Sequence, residues 1–194
     1  MAYQAQNLIS EECRVAINHV ASYELHISDA YLSMACYYNE DTEAPLFAAF
    51  FEDQAEVKRE HGKQFLRYLR RREGQICLPV IKRPDIDTWG TGIKALESAL
   101  ELENKLTQLL QDLKTVASDS SDKDLVRFMG KYLDKQRRNT SYLEHQLIYH
   151  RRLEKQAQQE EPFEKPAEVS GLKNRQHWAA YTTTSPTDDI GTGE

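Results

Sequence analysis

Four long segments of the chain repeat apolar residues at every third or fourth position, which is the spacing of an amphipathic helix. We predict helices over about Ser10 to Tyr38, Pro45 to Glu73, Gly92 to Ala117 and Asp122 to Glu154. Ser10 can cap the first helix, and Pro45 suits the first turn of the second. All four segments exceed the average helix of about 11–12 residues. They therefore predict an all-α fold in which long helices pack side by side as a bundle.

The apolar positions of these segments form the predicted core. They are Ile17, Val20, Ile27, Met34 and Tyr38 in the first helix, Phe47, Phe50, Phe65 and Leu69 in the second, Leu96, Ala99, Leu106, Leu110 and Leu113 in the third, and Leu125, Met129, Tyr132, Leu143 and Leu147 in the fourth. Each set falls on one side of its helix, so the four sides can enclose one hydrophobic core.

The links between the helices distinguish one bundle topology from another. Short polar turns join the first helix to the second and the third to the fourth, so each pair is antiparallel. The middle link, from about Gly74 to Gly90, contains two prolines and has no helical period. At about 17 residues it reaches roughly 56 Å when extended, whereas a helix of about 28 residues is roughly 42 Å long. It can therefore cross back along the bundle and make the second and third helices parallel.

The sequence after about Gln156 is polar and contains proline, serine and threonine in place of an apolar period. We predict a bundle domain over residues 1–155 and a disordered tail over residues 156–194. The formal net charge of -6 argues against nucleic acid as a partner. The sequence contains no run of 18 apolar residues, so we predict no membrane span. The N-terminal residues do not resemble a secretory signal, and the 3 cysteines lack metal-ligand spacing, so we expect a cytoplasmic protein with reduced thiols.

Polar side chains interrupt the apolar face of every predicted helix. They are Glu24 and Tyr31 in the first helix, Gln54, Lys58 and His61 in the second, Glu103 in the third and Gln136 in the fourth. A buried polar group without a partner costs several kcal/mol, roughly 2–7 depending on the reference. These side chains should therefore converge and satisfy one another.

Two arrangements can satisfy them, and the residues alone leave both open. The first is a metal site, because carboxylates and imidazole suit iron and can be held between the helices of a bundle. The second is a metal-free network in which Lys58 is the cation for Glu24 and Glu103. The spacing favours the network, because Lys58 lies at its centre and a protonated lysine has no lone pair for a metal.

Several short segments resemble animal ferritin subunits. They are Tyr23-Glu24-Leu25, Ala30-Tyr31-Leu32-Ser33-Met34, Lys58-Arg59-Glu60-His61, Ile81-Lys82-Arg83-Pro84, Leu100-Glu101-Leu102-Glu103 and Tyr132-Leu133-Asp134-Lys135-Gln136. The similarity spans about Ile9 to Leu153. It implies the up-down-down-up ferritin bundle, which usually assembles into a hollow shell of 24 subunits around ferric mineral. The implied cofactor is iron, and the implied partners are further copies of the chain or other ferritin subunits.

Heavy-type ferritins oxidise iron at a paired iron site, and the resemblance places that site on this chain. It implies Glu24, His61 and Glu103 as metal ligands, with Tyr31 and Gln136 beside them. The glutamate that bridges the two irons falls on a lysine in this sequence, as it does in light-type ferritins.

The resemblance thus predicts an iron-storage subunit with impaired ferroxidase activity and weak or single-site iron binding. Two alternatives stay open: an active or partly active enzyme that oxidises Fe(II) to Fe(III), and a metal-free structural bundle. The lysine at position 58 therefore favours a chain that is not an enzyme, without excluding ferroxidase activity.

Three further features of the sequence depart from the family pattern. The acidic patch that seeds mineral maps to Asp53, Glu56, Val57, Glu60 and Lys63, so two of its carboxylates are replaced. The acidic ring of the iron channel maps to Val126 with Met129 or to Arg127 with Gly130, and neither pair is acidic. The short fifth helix of the family has no counterpart within residues 156–194. The sequence therefore leaves open whether a 24-subunit shell forms.

Overall fold

The computed structural model describes residues 8–38, 45–82 and 89–159. It contains four helices: α1 (Glu11–Tyr37), α2 (Pro45–Arg71), α3 (Gly92–Asp119) and α4 (Lys123–Gln159). No strand occurs in these ranges. The all-α fold class is confirmed, and the first three helices lie within a few residues of their predicted bounds.

Side chains just before the helices fix where three of them begin. The Ser10 hydroxyl accepts a hydrogen bond from the backbone N–H of Cys13 at 3.2 Å, so it caps α1 as expected. Thr91 caps α3 in the same way. Asp122 accepts from the backbone N–H of Leu125 at 3.0 Å at the start of α4. Each cap satisfies an N–H that has no partner within its own helix.

The fourth helix is longer than its apolar stripe predicts. It ends at Gln159, so residues 156–159, which the sequence assigned to the tail, are helical. Lys, Gln and Ala are good helix formers, and no proline or glycine occurs from Glu154 to Gln159. Residues 160–194 lie outside the described residues, so the disordered tail and the missing fifth helix stay predictions. No helix in the described ranges is apolar enough over a sufficient length to cross a membrane.

The directions of α1 and α3 follow from contacts at their ends. Ser10, before α1, has its hydroxyl 3.5 Å from that of Ser120, after α3. At the opposite end, the Tyr38 hydroxyl donates to the backbone carbonyls of Gly90 and Thr91 at 2.9 and 3.0 Å. The start of each helix therefore lies beside the end of the other, and the two run antiparallel.

The remaining directions follow from contacts made by α2. Its first turn places Phe47 beside Tyr38, with ring centroids 6.0 Å apart, so α2 is antiparallel to α1. Phe47 also lies 4.9 Å from the ring of His150, late in α4. At the other end, Arg72 pairs with Asp122 at 2.9 Å. Helices α2 and α3 are thus parallel and α4 is antiparallel to both, which is the predicted up-down-down-up order.

The link between α2 and α3 lies along α1 at the residues that the structure describes. Soon after α2, the Cys77 N–H donates to Asn18 Oδ1 at 2.8 Å. Just before α3, the Trp89 ring N–H donates to Ser33 Oγ at 3.0 Å. Asn18 and Ser33 are separated by about 22 Å of helix at 1.5 Å per residue. The link therefore crosses back along the bundle, which confirms the predicted long crossover.

The predicted apolar stripes form the core. All the apolar positions named above are buried, among them Ile17, Leu106 and Met129, which are fully inaccessible. Gln54 is a correction, because it is only partly buried and does not join the polar residues of the interior. The other polar residues predicted on the inner faces are buried, and they form the candidate site.

Candidate metal site

Polar side chains from all four helices meet in the middle of the bundle. Glu24 of α1, Lys58 of α2, Glu103 of α3 and Gln136 of α4 are between 0% and 4% exposed. Each occupies a position on its helix where the apolar period would otherwise place a hydrophobic residue. The interior therefore holds two carboxylates, one ammonium and one amide in a region closed to bulk water.

Lys58 lies at the centre of this cluster. Its Nζ donates to Glu103 Oε2 at 2.6 Å and to Gln136 Oε1 at 3.3 Å, and it lies 3.8 Å from Glu24 Oε2. Burial lowers the pKa of the Lys58 ammonium, but the charges of Glu103 and Glu24 outweigh burial, so its pKa lies above the ordinary value. Lys58 is therefore protonated at neutral pH and has no lone pair for a metal ion.

Both oxygens of Glu103 are engaged by neighbouring side chains. The Tyr31 hydroxyl donates to Oε1 at 2.6 Å, while Gln136 Nε2 donates to Oε2 at 2.7 Å and to the Glu103 carbonyl at 2.9 Å. Burial, followed by the charge of Glu103, raises the pKa of Tyr31 well above its usual range. The hydroxyl therefore keeps its proton and acts as a donor. Three donors converge on Glu103 and hold it in one orientation.

The Glu24 side of the cluster is less well satisfied. Glu24 Oε1 lies 3.6 Å from His61 Nδ1, which is longer than a hydrogen bond. Glu24 Oε2 is buried and accepts no hydrogen bond, although Lys58 lies 3.8 Å away. His61 also packs edge-on against the ring of Tyr132, with centroids 5.2 Å apart. Glu24 and His61 thus form the part of the cluster with spare capacity for a cation.

Close packing of α1 against α2 brings these two residues together. A Cβ added to Gly62 would lie 3.1 Å from the side chain of Leu25 and 3.3 Å from the Ala21 carbonyl, so glycine permits this close approach. One turn further along, the Ser28 hydroxyl donates to the Ala55 carbonyl at 2.7 Å across the same interface. The helix contact therefore fixes the His61 backbone beside Glu24.

The structure brings together all five residues proposed from the sequence as metal ligands or neighbours: Glu24, Tyr31, His61, Glu103 and Gln136. They do not fit a paired metal centre in this arrangement. The Lys58 ammonium stands between the two carboxylates, where a bridging anion would be needed, and it occupies oxygens that would otherwise bind metal. In the described part of the chain, no three His, Cys, Asp or Glu side chains are grouped to hold a metal ion.

The proposed mineral-seeding residues lie on an outer face of α2. Asp53 and Glu56 are exposed. Glu60 is different, because it pairs with Lys63 at 2.7 Å and with Arg67 at 2.9 Å. The hydrogen bond from Lys63 lowers the pKa of the Glu60 carboxyl. Two carboxylates of the proposed patch are thus open, while the third is occupied by neighbouring cations.

Burial distinguishes the two alignments proposed for the channel positions. Met129 is fully buried in the core, so the pair Val126 and Met129 cannot face a channel between subunits. Arg127 is exposed, and no heavy atom lies within 4 Å of a Cβ added to Gly130. The alignment with Arg127 and Gly130 is therefore the one compatible with the structure.

One buried ion pair was not predicted from the sequence. At the end of α2, the Arg72 guanidinium donates to both oxygens of Asp122, at 2.9 and 3.3 Å, and to the Tyr68 hydroxyl at 2.6 Å. Asp122 was predicted only as the first residue of the fourth helix. Their pairing requires the two helix ends to be adjacent in space, so only the topology could have indicated it.

A four-helix bundle with one long crossover and a central carboxylate and imidazole cluster defines the ferritin-like class. The ferritin-like domain family matches residues 15–161. The chain is 39% identical over 138 residues to a ferritin middle subunit of Salmo salar, covering 70% of this chain and 78% of that protein. It is 38% identical over 135 residues to the soma ferritin of Lymnaea stagnalis, covering 69% and 78%. Similarity to a ferritin lower subunit of Aquarana catesbeiana is 35% over 130 residues, covering 66% and 75%. The chain belongs to the ferritin family.

Proposed function

We propose that this chain is an iron-storage subunit of the ferritin family whose own iron-oxidation centre is closed by Lys58. One observation carries the proposal: the Lys58 ammonium lies 2.6 Å from Glu103 and 3.8 Å from Glu24, inside the bundle. These are the two carboxylates that the family resemblance implies as ligands of the two iron ions. The chain takes part in iron sequestration and homeostasis without oxidising iron at a useful rate.

Electrostatics support closure of the centre. Two unit charges 4 Å apart interact by about 4 kcal/mol at an effective dielectric constant of 20, and a ferrous ion carries twice the unit charge. An iron ion placed between Glu24 and Glu103 would be repelled by the ammonium. Releasing the Lys58 proton would remove this repulsion, but the raised pKa of Lys58 opposes that release at neutral pH.

A weaker, single iron site is the second candidate. Glu24 Oε2 accepts no hydrogen bond, and His61 lies beside the same carboxylate, so one imidazole and one carboxylate are available to one ferrous ion. Two protein ligands leave most of the coordination sphere to water. Such a site binds iron weakly and would support at most slow, partial oxidation. This is what remains of the alternative that the chain is a partly active ferroxidase.

The proposed partners are other ferritin subunits or further copies of this chain in a shell. A subunit that stores but does not oxidise iron depends on active subunits to supply ferric iron. The exposed carboxylates of Asp53 and Glu56 are the proposed contribution to mineral seeding. Glu60 contributes less because its carboxylate pairs with Lys63. A cytoplasmic location is supported by three cysteines that form no disulfide.

Iron retention tests this proposal against a metal-free structural role. The full chain is loaded with ferric iron supplied by an active ferritin subunit, and iron per subunit is measured after gel filtration. We expect shells that contain this chain to retain much more iron per subunit than an equal quantity of unassembled active subunit. A chain that neither co-assembles with the active subunit nor retains any iron would overturn the storage function.

A further inference from the structure

A second concentration of charge lies at the end of the bundle where α2 finishes and α4 begins. An open cleft of about 690 Å³ lies there. Its floor is formed by Tyr68 and Phe128, whose rings stack with centroids 4.2 Å apart and an angle of 19°. Its rim carries the exposed basic side chains of Arg71, Arg127 and Lys131. We call this feature the basic cleft.

The acidic groups near the basic cleft are already occupied. Asp122 pairs with the buried Arg72 at 2.9 Å. Asp124 accepts a hydrogen bond from Tyr68 at 3.0 Å and lies 3.5 Å from Arg72. Both carboxylates therefore face Arg72 and are not available to the other basic residues of the cleft.

The rim cations have no such partners. Neither Arg71, Arg127 nor Lys131 makes an ion pair with another residue in the described ranges. With Arg72 they make four basic groups against two carboxylates, so the cleft carries net positive charge on a chain whose formal net charge is -6. A local field opposite in sign to the whole chain is an arrangement suited to attracting anions.

Aromatic faces position two of the rim cations without neutralising them. The Arg71 guanidinium lies 5.9 Å from the centroid of the Tyr68 ring. The Lys131 ammonium lies 5.4 Å from the centroid of Phe128 and 5.1 Å from that of Tyr132. Cation–π contacts of this kind restrain a side chain but leave its hydrogen-bond donors free. The donors therefore stay available to a ligand in the cleft.

We propose that the basic cleft binds a phosphate-type oxyanion. Arginine presents paired N–H donors that match two phosphate oxygens, and lysine adds a point charge. The cleft is larger than one orthophosphate ion requires, so it can take either orthophosphate or a short polyphosphate chain. This inference goes beyond the proposed function, although Arg127 belongs both to the basic cleft and to the proposed channel position.

Calorimetric titration of the full chain, with iron removed by chelation so that ferric phosphate cannot form, tests the proposal. Orthophosphate and tripolyphosphate are titrated separately at 0.1 M sodium chloride. We expect saturable binding of one anion per chain, tighter for tripolyphosphate if the ligand is a chain. Arg127→Glu and Lys131→Glu should each weaken binding about 10-fold, which is the usual size of a lost charged hydrogen bond.

The matched control is Lys105→Glu, which makes the same charge change at an exposed residue of α3 away from the cleft. It should leave the affinity within about 2-fold of the unmodified chain, since distant exposed charges are screened beyond about 10 Å at this ionic strength. Thermal unfolding of each variant confirms that the bundle is intact. The proposal is overturned if neither anion binds, or if Lys105→Glu weakens binding as much as Arg127→Glu.

Discussion

The centre of the bundle and the basic cleft both contain lysine or arginine beside carboxylates, yet they differ in how the charges are matched. In the centre, Lys58 is almost completely buried and lies within 4 Å of two carboxylates. In the cleft, the two nearby carboxylates face Arg72, and Arg127 and Lys131 remain exposed without an ionic partner among the described residues. One region is closed to ligands and the other is open.

This difference shows that the position of a cation decides its effect on function. A buried ammonium must be compensated, because an unpaired charge in the interior is very costly. Its partners are the carboxylates that would bind iron, so satisfying Lys58 removes the metal ligands. An exposed cation needs no such partner, since water solvates it. It contributes little to folding but stays available to an anion.

Removing the central cation should give the largest effect on stability. Lys58→Met leaves Glu24 and Glu103 buried without their cation, and breaking a buried ion pair in this way typically costs about 3–5 kcal/mol. Denaturant unfolding measures the change. Lys63→Met is the control, because its ion pair with Glu60 is exposed and is worth about 1 kcal/mol or less. Equal stability of the two variants would contradict the claim that Lys58 balances the buried charges of Glu24 and Glu103.

Reversing the charge near the proposed channel should change iron uptake. A channel lined by acidic groups concentrates cations and can raise association rates by about 10-fold or more. Arg127→Asp with Gly130→Glu should therefore speed ferrous uptake into an assembled shell by about that factor. Space around Gly130 accommodates the new side chain. Uptake is followed as iron retained over time with oxidant in excess. An unchanged rate would show that these residues do not line the path.

Alkaline pH should leave the centre closed well beyond neutrality. The folded-state pKa of Lys58 lies above its ordinary value of 10.5, so its stabilising contribution is complete below that pH and is lost as pH rises through the folded pKa. The difference in unfolding free energy between wild type and Lys58→Met should thus be constant from pH 7 to pH 9. A difference that shrinks in this range would mean that Lys58 is already losing its proton.

Charge reversal at the rim of the basic cleft should affect folding least. Arg127 is exposed and makes no ion pair with a described residue, and surface substitutions of this kind usually change stability by about 0.5 kcal/mol or less. Arg127→Glu should therefore unfold at the same denaturant concentration as wild type, within that limit. A loss of 2 kcal/mol or more would show that the cleft is part of the structural core and not an open site.

Much of the fold could be predicted because long helices carry their own signals. Period, caps and the length of the middle link were sufficient for the topology. The end of α4 was missed because Gln156 to Gln159 continue a helix by intrinsic propensity, with no large apolar residue to mark it. Gln54 was misplaced because it lies at the edge of the apolar face, where a helix turns from buried to exposed.

The candidate site was predictable in membership but not in geometry. A polar residue on an apolar stripe identified Glu24, Lys58 and Glu103 from sequence alone. The separations of 2.6 Å from Lys58 to Glu103 and 3.8 Å from Lys58 to Glu24 come from the packing of the helices and have no counterpart in the sequence pattern. The basic cleft was missed for the same reason, because its cations come from two helix ends that are distant in sequence.

Single-turnover oxidation of ferrous iron tests the central claim most directly. Wild type, Lys58→Glu and Lys105→Glu are each mixed with ferrous iron and oxygen, and oxygen consumption is followed with ferric product. Lys58→Glu replaces the ammonium with a bridging carboxylate beside His61, so it should oxidise iron rapidly and only with oxygen present. Wild type and the control Lys105→Glu, which makes the same charge change at an exposed residue of α3, should both be slow. Wild-type oxidation as fast as that of Lys58→Glu would contradict the closure of the centre by Lys58.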